Sequence, residues 1–228
     1  MAERRIVITG ATKGIGRALA EGFIAAGHTV YGCGRNAEAV AELQAAHGAP
    51  HQWARVDVAD PAAVAAWTEG VLAEGGPPDL LINNAAVILR KQPLWEISEE
   101  ELAQLFEVNV LGVTRVMRAF LPAMIALASG IVINLSSGSG RMGIAEMAPY
   151  CASKWAIEGL SKAVAQEVPA GMAVIPLSPG TVNTEMLRTI WGRAAEDRPT
   201  PADWVATAVP YILSLSAEDN GQSLTVPA

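Results

Sequence analysis

The 228-residue chain reads as an α/β protein, a doubly wound parallel sheet of about seven strands with helices on both faces. Short β-branched runs alternate along it with longer Ala-rich segments of helical period, the pattern of parallel strands covered on both sides by crossover helices. The longest stretches without a period, 136–148 and 178–200, each directly follow a predicted strand. An open parallel sheet binds ligands outside the carboxyl ends of its strands, so these two loops are the natural builders of a site. No repeat or linker divides the chain, and 51% hydrophobic residues supply one large core, so residues 1–228 are read as a single domain.

The elements follow in order. A strand at 5–9 runs into a glycine-rich turn and a helix at 15–26. A strand at 29–33 precedes a helix at 37–46, and a strand at 52–57 precedes a helix at 61–73, which Asp60 caps and Pro61 opens. After a strand at 80–82, Ser98 and Glu101 form a capping-box pattern that starts a long helix at 99–128. A strand at 130–135 leads to a helix at 149–167 with Pro149 in its first turn. A strand at 172–177, a helix at 201–215 opened by Pro201 and a last strand at 223–226 complete the series.

Charge and composition exclude several classes. A formal net charge of -7 leaves no basic footprint for a phosphate backbone, so no nucleic-acid partner is expected and the acidity reads as solubility. Cys33 and Cys151 lie far apart and match no metal-ligand spacing, which points to reduced thiols, no metal and a cytoplasmic protein. Arg4 and Arg5 precede an apolar run that breaks at Gly10, unlike a signal peptide. The apolar region 120–135 is interrupted by Pro122, Ser129 and Gly130, too soon to span a bilayer, so no membrane association is expected. His28, His47 and His51 all fall in the first quarter, away from any candidate serine nucleophile or metal cluster, which leaves hydrolase and zinc chemistry without parts.

The turn after the first strand reads Thr9-Gly10-Ala11-Thr12-Lys13-Gly14-Ile15-Gly16. Glycines permit a tight turn and let a pyrophosphate approach the main chain, while the following helix N-terminus offers N–H donors and positive dipole. Such a turn can also merely link strand to helix. Its TGxxxGIG spacing resembles the short-chain dehydrogenase/reductase family, and further matches follow in sequence. Asp57, before Val58, resembles the family's adenine-contacting aspartate, with a strand-end cap as the other reading. Asn83-Asn84-Ala85-Ala86 is similar to its NNAG stretch, although Asn83 itself reads better as a buried tie between strands. Pro179-Gly180-Thr181-Val182-Asn183-Thr184 resembles its PGxVxT loop, which implies that Val182 and Thr184 hold the nicotinamide carboxamide. The resemblance implies a Rossmann-like fold and a nicotinamide cofactor.

Charge selects between the two nicotinamide cofactors. An acid after the second strand suits the free ribose of NAD, whereas a 2′-phosphate needs a cation. Here Gly32-Cys33-Gly34-Arg35 puts glycine where the acid would stand and arginine next, and Lys13 is within reach of the same phosphate. Arginine forks suit phosphate, so NADPH is expected, with NAD less favoured. Both cations would otherwise be solvated surface charges.

Tyr150 and Lys154, in Tyr150-Cys151-Ala152-Ser153-Lys154, share one helix face at i and i+4. They follow the loop after the fifth strand, which ends Asn134-Leu135-Ser136-Ser137. Ser137 lies thirteen positions before Tyr150, the family's usual separation. Hydride transfer to a carbonyl leaves an alkoxide to be protonated, and the reverse needs a base. Lowering a phenol by about three units takes roughly 4 kcal/mol, and a cation about 4 Å away at an effective dielectric near ~20 supplies that much. The resemblance implies Tyr150 as acid/base, Lys154 as its electrostatic partner and a ligand of the cofactor ribose, Ser137 as donor to the substrate oxygen, and Asn109 as part of a water chain to Lys154. Taken singly, Ser137 would be a surface residue, Tyr150 a core residue and Asn109 the mend of a helix distortion.

The reading is therefore an oxidoreductase interconverting a ketone or aldehyde with an alcohol. The alternative is a catalytically idle NADP-sensing or scaffolding protein on the same fold, and an epimerase or dehydratase is less favoured because such relatives carry a larger C-terminal region. Segment 184–199 resembles the family's lid. Met142, Ile144, Met147, Met186, Leu187 and Trp191 suggest a small, apolar substrate, while Arg141, Arg188 and Arg193 read as surface arginines. Departures from the family are Ala86 for a glycine, a short turn at 168–171 and an ending at Leu224-Thr225-Val226-Pro227-Ala228 in place of an Asp-Gly-Gly tail. A homodimer or homotetramer is expected, using helices 99–128 and 149–167.

Overall fold

The computed structural model describes residues 2–227. Ala228 of the expected tail lies outside them. Seven parallel strands form one sheet: β1 (Arg5–Thr9), β2 (Thr29–Gly34), β3 (Gln52–Arg55), β4 (Leu80–Asn83), β5 (Gly130–Leu135), β6 (Met172–Ser178) and β7 (Leu224–Thr225). Their order across the sheet is β3-β2-β1-β4-β5-β6-β7. The order reverses between β1 and β4, which is where an open parallel sheet leaves a crevice.

Among the described residues there are eight α-helices: α1 (Gly14–Ala25), α2 (Ala37–Ala46), α3 (Pro61–Gly75), α4 (Glu99–Phe106), α5 (Val113–Ala126), α6 (Ala148–Val164), α7 (Glu185–Trp191) and α8 (Pro201–Ser214). Central strands carry aliphatic side chains on both faces because both faces are covered. On one face Ile6, Ile8, Ile82 and Ile133 pack with Leu19 and Phe23 of α1 and Trp204, Ala208 and Ile212 of α8. On the other, Val7, Leu81 and Val132 pack with Val64 and Trp67 of α3, Val116 and Phe120 of α5 and Ile157 of α6. Trp67 meets Phe120 edge to face at 5.6 Å.

The caps expected at Asp60 and Ser98 form as read, Asp60 accepting from Ala62 and Ala63 and Ser98 exchanging hydrogen bonds with Glu101. Three elements differ from expectation. The helix expected at 99–128 is broken by a π-helical segment, Glu107–Gly112, between α4 and α5. The stretch Glu99–Ala126 is long and apolar enough to cross a membrane by length and composition alone. Here Val113, Val116, Met117, Phe120 and Met124 are buried and the last four pack with the sheet core. The strand expected at 52–57 stops at Arg55, because the Asp57 carboxylate accepts from the Ala59 amide and starts a turn. The lid expected as an irregular loop contains α7, capped by the Thr184 hydroxyl, which accepts from Leu187.

Candidate active site

The glycine turn forms at the reversal point because Asn84 and Thr9 build it. Asn84 donates through its side-chain amide to the carbonyls of Thr9 and Gly10, at 2.8 and 3.0 Å. The Thr9 hydroxyl accepts from the Asn84 and Ala85 amides. Gly10 has φ +66, and a Cβ there would lie 2.9 Å from Ala85 Cα; at Gly16 a Cβ would lie 2.2 Å from the Gly10 carbonyl oxygen. The turn is closed around backbone, and no side chain fits inside it. Gly16→Ala is accordingly expected to abolish measurable nucleotide binding and to lower the melting temperature by several degrees, read by fluorescence titration and thermal scanning. An alanine variant that binds normally would show that the close packing is not required.

A Cβ on Gly14 would be in ordinary van der Waals contact with Thr184, 3.6 Å from its Cγ2, so the glycine turn and the loop after β6 meet at the crevice. Pro179 offers its carbonyl to Trp204 Nε1 at 2.9 Å, and Gly180 follows with φ +74. Trp204, which sequence reasoning passed over, thus fixes this loop from α8. The side chains of Val58 and Val182 are buried in the two cores, and Ile15 packs against one of them. Val58 and Val182 therefore offer a ligand mainly their backbone, whereas Ile15 is only partly buried.

The two cations expected at the 2′-phosphate part company. Arg35 stands at the end of β2, half-exposed, with a guanidinium nitrogen 3.8 Å from Asp57. Lys13 instead reaches the lid, its ammonium 2.6 Å from Glu185 of α7 with both side chains largely exposed. That contact holds the Glu185 carboxyl below its ordinary range. Gly34, read as a missing acid, has a steric cause as well: a Cβ there would lie 2.5 Å from Thr12 Cγ2.

At the carboxyl end of β5 the hydroxyl of Ser137 accepts from the Ser139 amide and hydrogen-bonds Tyr150. Lys154 is buried, donates to the Leu135 carbonyl at 2.8 Å, and sits 5.7 Å from the centre of the Tyr150 ring. Burial pushes the phenol up to about 12, the Ser137 hydrogen bond opposing it. Burial also lowers the Lys154 ammonium to about 8. In the protein itself desolvation sets the direction for both groups, whereas the lowering of the phenol expected from the sequence drew on Lys154 and the oxidised nicotinamide together.

Asn109, at the centre of the π-helical segment, is 1% exposed. Its side chain accepts from the Val87 amide at 2.8 Å and donates to the Val87 carbonyl and to Ser153. It ties Val87, in the loop after β4, to α6 beside Lys154. The reading as the mend of a helix distortion describes these side-chain bonds. Asn83, as expected, links strands, donating to Asn134 at 2.8 Å across the β4–β5 register.

The apolar residues expected around a substrate are divided. Met147 is buried at the start of α6, Ile144, Met186 and Leu187 are half-buried, and Met142 is exposed. Trp191 lies at the end of the lid helix with the Arg198 guanidinium 5.2 Å from its ring. Arg141 is no surface arginine: it pairs at 2.9 Å with the buried carboxylate of Glu158.

Comparison with known proteins bears on this arrangement. The model of the short chain dehydrogenase family matches residues 4–194. The chain is 45% identical to an NADPH-dependent pterin aldehyde reductase of Arabidopsis thaliana, the match covering 99% of this chain and 94% of that protein. It is 35% identical to a 3-oxoacyl-[acyl-carrier-protein] reductase of Escherichia coli over 81% of this chain and 75% of that one. A solved gluconate 5-dehydrogenase from Burkholderia cenocepacia, in complex with NADP and tartrate, superposes with a TM-score of 0.87 at 31% identity, over 99% of this chain and 94% of that one. A seven-stranded parallel sheet with its glycine turn at the reversal point, matched by this family along most of its length, makes the chain a member of the short-chain dehydrogenases.

Proposed function

We propose that Tyr150, Lys154 and Ser137 serve an NADPH-linked reduction of an aldehyde or ketone to an alcohol, and that the physiological substrate is an aldehyde borne on a flat heteroaromatic ring. The reaction class and cofactor rest on family membership and on the similarity to NADPH-dependent reductases. The ring-bearing aldehyde is favoured by the 45% identity to the pterin aldehyde reductase along nearly the whole chain. The observation that carries the chemistry is the cluster of phenol, ammonium and hydroxyl at the end of β5.

When bound, NADPH supplies the hydride. The turn at Gly10, Thr12, Gly14 and Gly16 would hold its pyrophosphate, Arg35 its 2′-phosphate, and the Thr184 loop its carboxamide. Ser137 donates to the substrate oxygen and orients it. Tyr150, protonated throughout the working range because burial holds its phenol near 12, delivers the proton to that oxygen. Lys154 adds positive charge beside the phenol and has further N–H donors beyond the one given to Leu135 for a ribose hydroxyl.

Two titrations separate here with opposite weight. Reduction needs Tyr150 protonated, which holds up to about 12, and Lys154 charged, which holds below about 8. The rate of reduction under saturating conditions is therefore expected to stay level at acid and neutral pH and to fall as pH rises through about 8. A profile level to pH about 10 would remove Lys154 as the titrating partner.

A panel of heteroaromatic, aliphatic and sugar-derived aldehydes, followed by loss of nicotinamide absorbance, tests the assignment. Preference for the heteroaromatic members is expected. Tight NADPH binding with no turnover of any carbonyl would favour the sensing alternative instead. Homo-oligomerisation belongs to the same proposal, supported by exposed Leu111 of the π-helical segment and exposed Trp155 of α6; light scattering at the mass of a monomer would refute it. A cytoplasmic site of action is proposed from the two free, buried thiols and is tested by cell fractionation.

A further inference from the structure

Tyr150, Lys154 and Glu158 follow one another at every fourth residue of α6, so they form a column on one face of that helix. The first two belong to the chemistry above. Glu158 is 4% exposed, a burial that carboxylates tolerate only when their oxygens are fully partnered. One oxygen accepts from the Ser136 hydroxyl at 2.7 Å and from Arg141 Nε at 2.9 Å. The other accepts from the Ser223 hydroxyl, with the Lys162 ammonium at 3.9 Å.

Ser136 and Arg141 are the two ends of one short segment. Between them lies the 3-10 turn Gly138–Gly140, capped by Ser137. The Gly140 and Arg141 amides close the turn on the Ser137 and Gly138 carbonyls. It is pressed against α6 so closely that a Cβ at Gly140 would lie 2.8 Å from the Lys154 carbonyl oxygen. The rest of the Arg141 guanidinium donates to the Leu224 carbonyl at 2.7 Å and the Thr225 hydroxyl at 2.9 Å, so the turn is also moored to β7. Among the described residues no other side chain is bonded to both ends of the turn.

From this geometry we infer that Glu158 is a positioning residue for the reduction: by gripping Ser136 and Arg141 from the helix that bears Tyr150 and Lys154, it fixes where the Ser137 hydroxyl stands relative to those two groups. The inference rests on the reductase reading for its kinetic consequence and on the hydrogen bonds alone for its structural one. Charge-assisted bonds of this length, sheltered from water, hold a short turn far more firmly than the weak turn bonds themselves. Catalysis by orientation is sensitive at this scale, a displacement of about 1 Å costing on the order of 10²-fold.

The test compares wild type, Glu158→Gln, Ser136→Ala and each of these combined with Ser137→Ala. Glu158→Gln is expected to lower kcat for the aldehyde roughly 10- to 100-fold and Ser136→Ala by a smaller factor, with NADPH affinity by fluorescence titration unchanged. Neither change should lower kcat further once Ser137 is alanine. Amide hydrogen exchange, which needs neither cofactor nor turnover, should quicken across residues 138–142 while α6 keeps its protection. A kcat loss that persists undiminished in the Ser137→Ala background, or unchanged exchange in the turn, would overturn the inference. Because Glu158→Gln removes the charge partner of the half-buried Arg141 and can fail to fold, Ser136→Ala, which removes only a neutral hydroxyl, then decides by the same two criteria. Wild-type protein without carbonyl turnover would defeat the reductase reading, and the exchange measurement would still judge the clamp.

Discussion

Tyr150→Phe is expected to lower NADPH-linked carbonyl turnover by about 10³-fold, within the range that a positioned general acid contributes. That loss corresponds to roughly 4 kcal/mol of transition-state stabilisation. The substitution removes one oxygen and keeps the ring that lies 5.7 Å from the Lys154 ammonium, so the packing of α6 and the burial of Lys154 are retained. NADPH should bind with nearly unchanged affinity, because the glycine turn, Arg35 and the Thr184 loop are untouched. The loss should fall on kcat, as befits a group whose proton moves only in the chemical step. With its phenol pushed up to about 12, Tyr150 carries its proton at neutral pH and can donate it but is not available to accept one, so reduction should be the faster direction there. Turnover of Tyr150→Phe near the wild-type rate would assign the proton to another group.

Arg35→Leu should lower kcat/KM for NADPH by about 10- to 100-fold, the worth of a charge-assisted hydrogen bond at roughly 1.5–3 kcal/mol, and leave kcat/KM for NADH close to its starting value. Arg35 is held beside Asp57 at 3.8 Å with both side chains in contact with solvent. A pair of this kind is worth less than about 1 kcal/mol, so a phosphate competes for the guanidinium easily. Without Arg35, the Asp57 carboxylate would face the 2′-phosphate uncompensated and repel it. Lys13→Met serves as the contrast. Its ammonium is engaged by Glu185, so its removal should weaken both cofactors alike. Equal losses with NADPH and NADH in Arg35→Leu would transfer the discrimination elsewhere.

The central architecture was legible because its determinants are local. β1 and β5 fall at their expected residues, since each is a short aliphatic run stopped by a turn residue or an unfavourable side chain. The glycine turn, Tyr150, Lys154 and Ser137 were legible from spacing, and the fold brings Ser137, Tyr150 and Lys154 together as that spacing implied. What escaped depends on partners distant in sequence. Arg141 looked like a surface charge because Thr225 lies 84 positions away. The contact of Lys13 with Glu185 escaped because the two are 172 positions apart. The π-helical segment escaped for a different reason: Asn109 earns its place by reaching Val87 across the site, while Val108, Val110 and Leu111 around it suit an ordinary helix equally well. α7, at seven residues, is too short to show a helical period.

The exposed clasp between Lys13 and Glu185 makes ionic strength a lever on kinetics. Mobile ions screen such a contact readily, so its strength near physiological salt is comparable to thermal energy. This contact therefore sets no large barrier to movement of the segment bearing Glu185. Concentrated salt should hasten departure of spent nucleotide several-fold and, where that departure limits cycling, raise throughput while the chemical step keeps its speed.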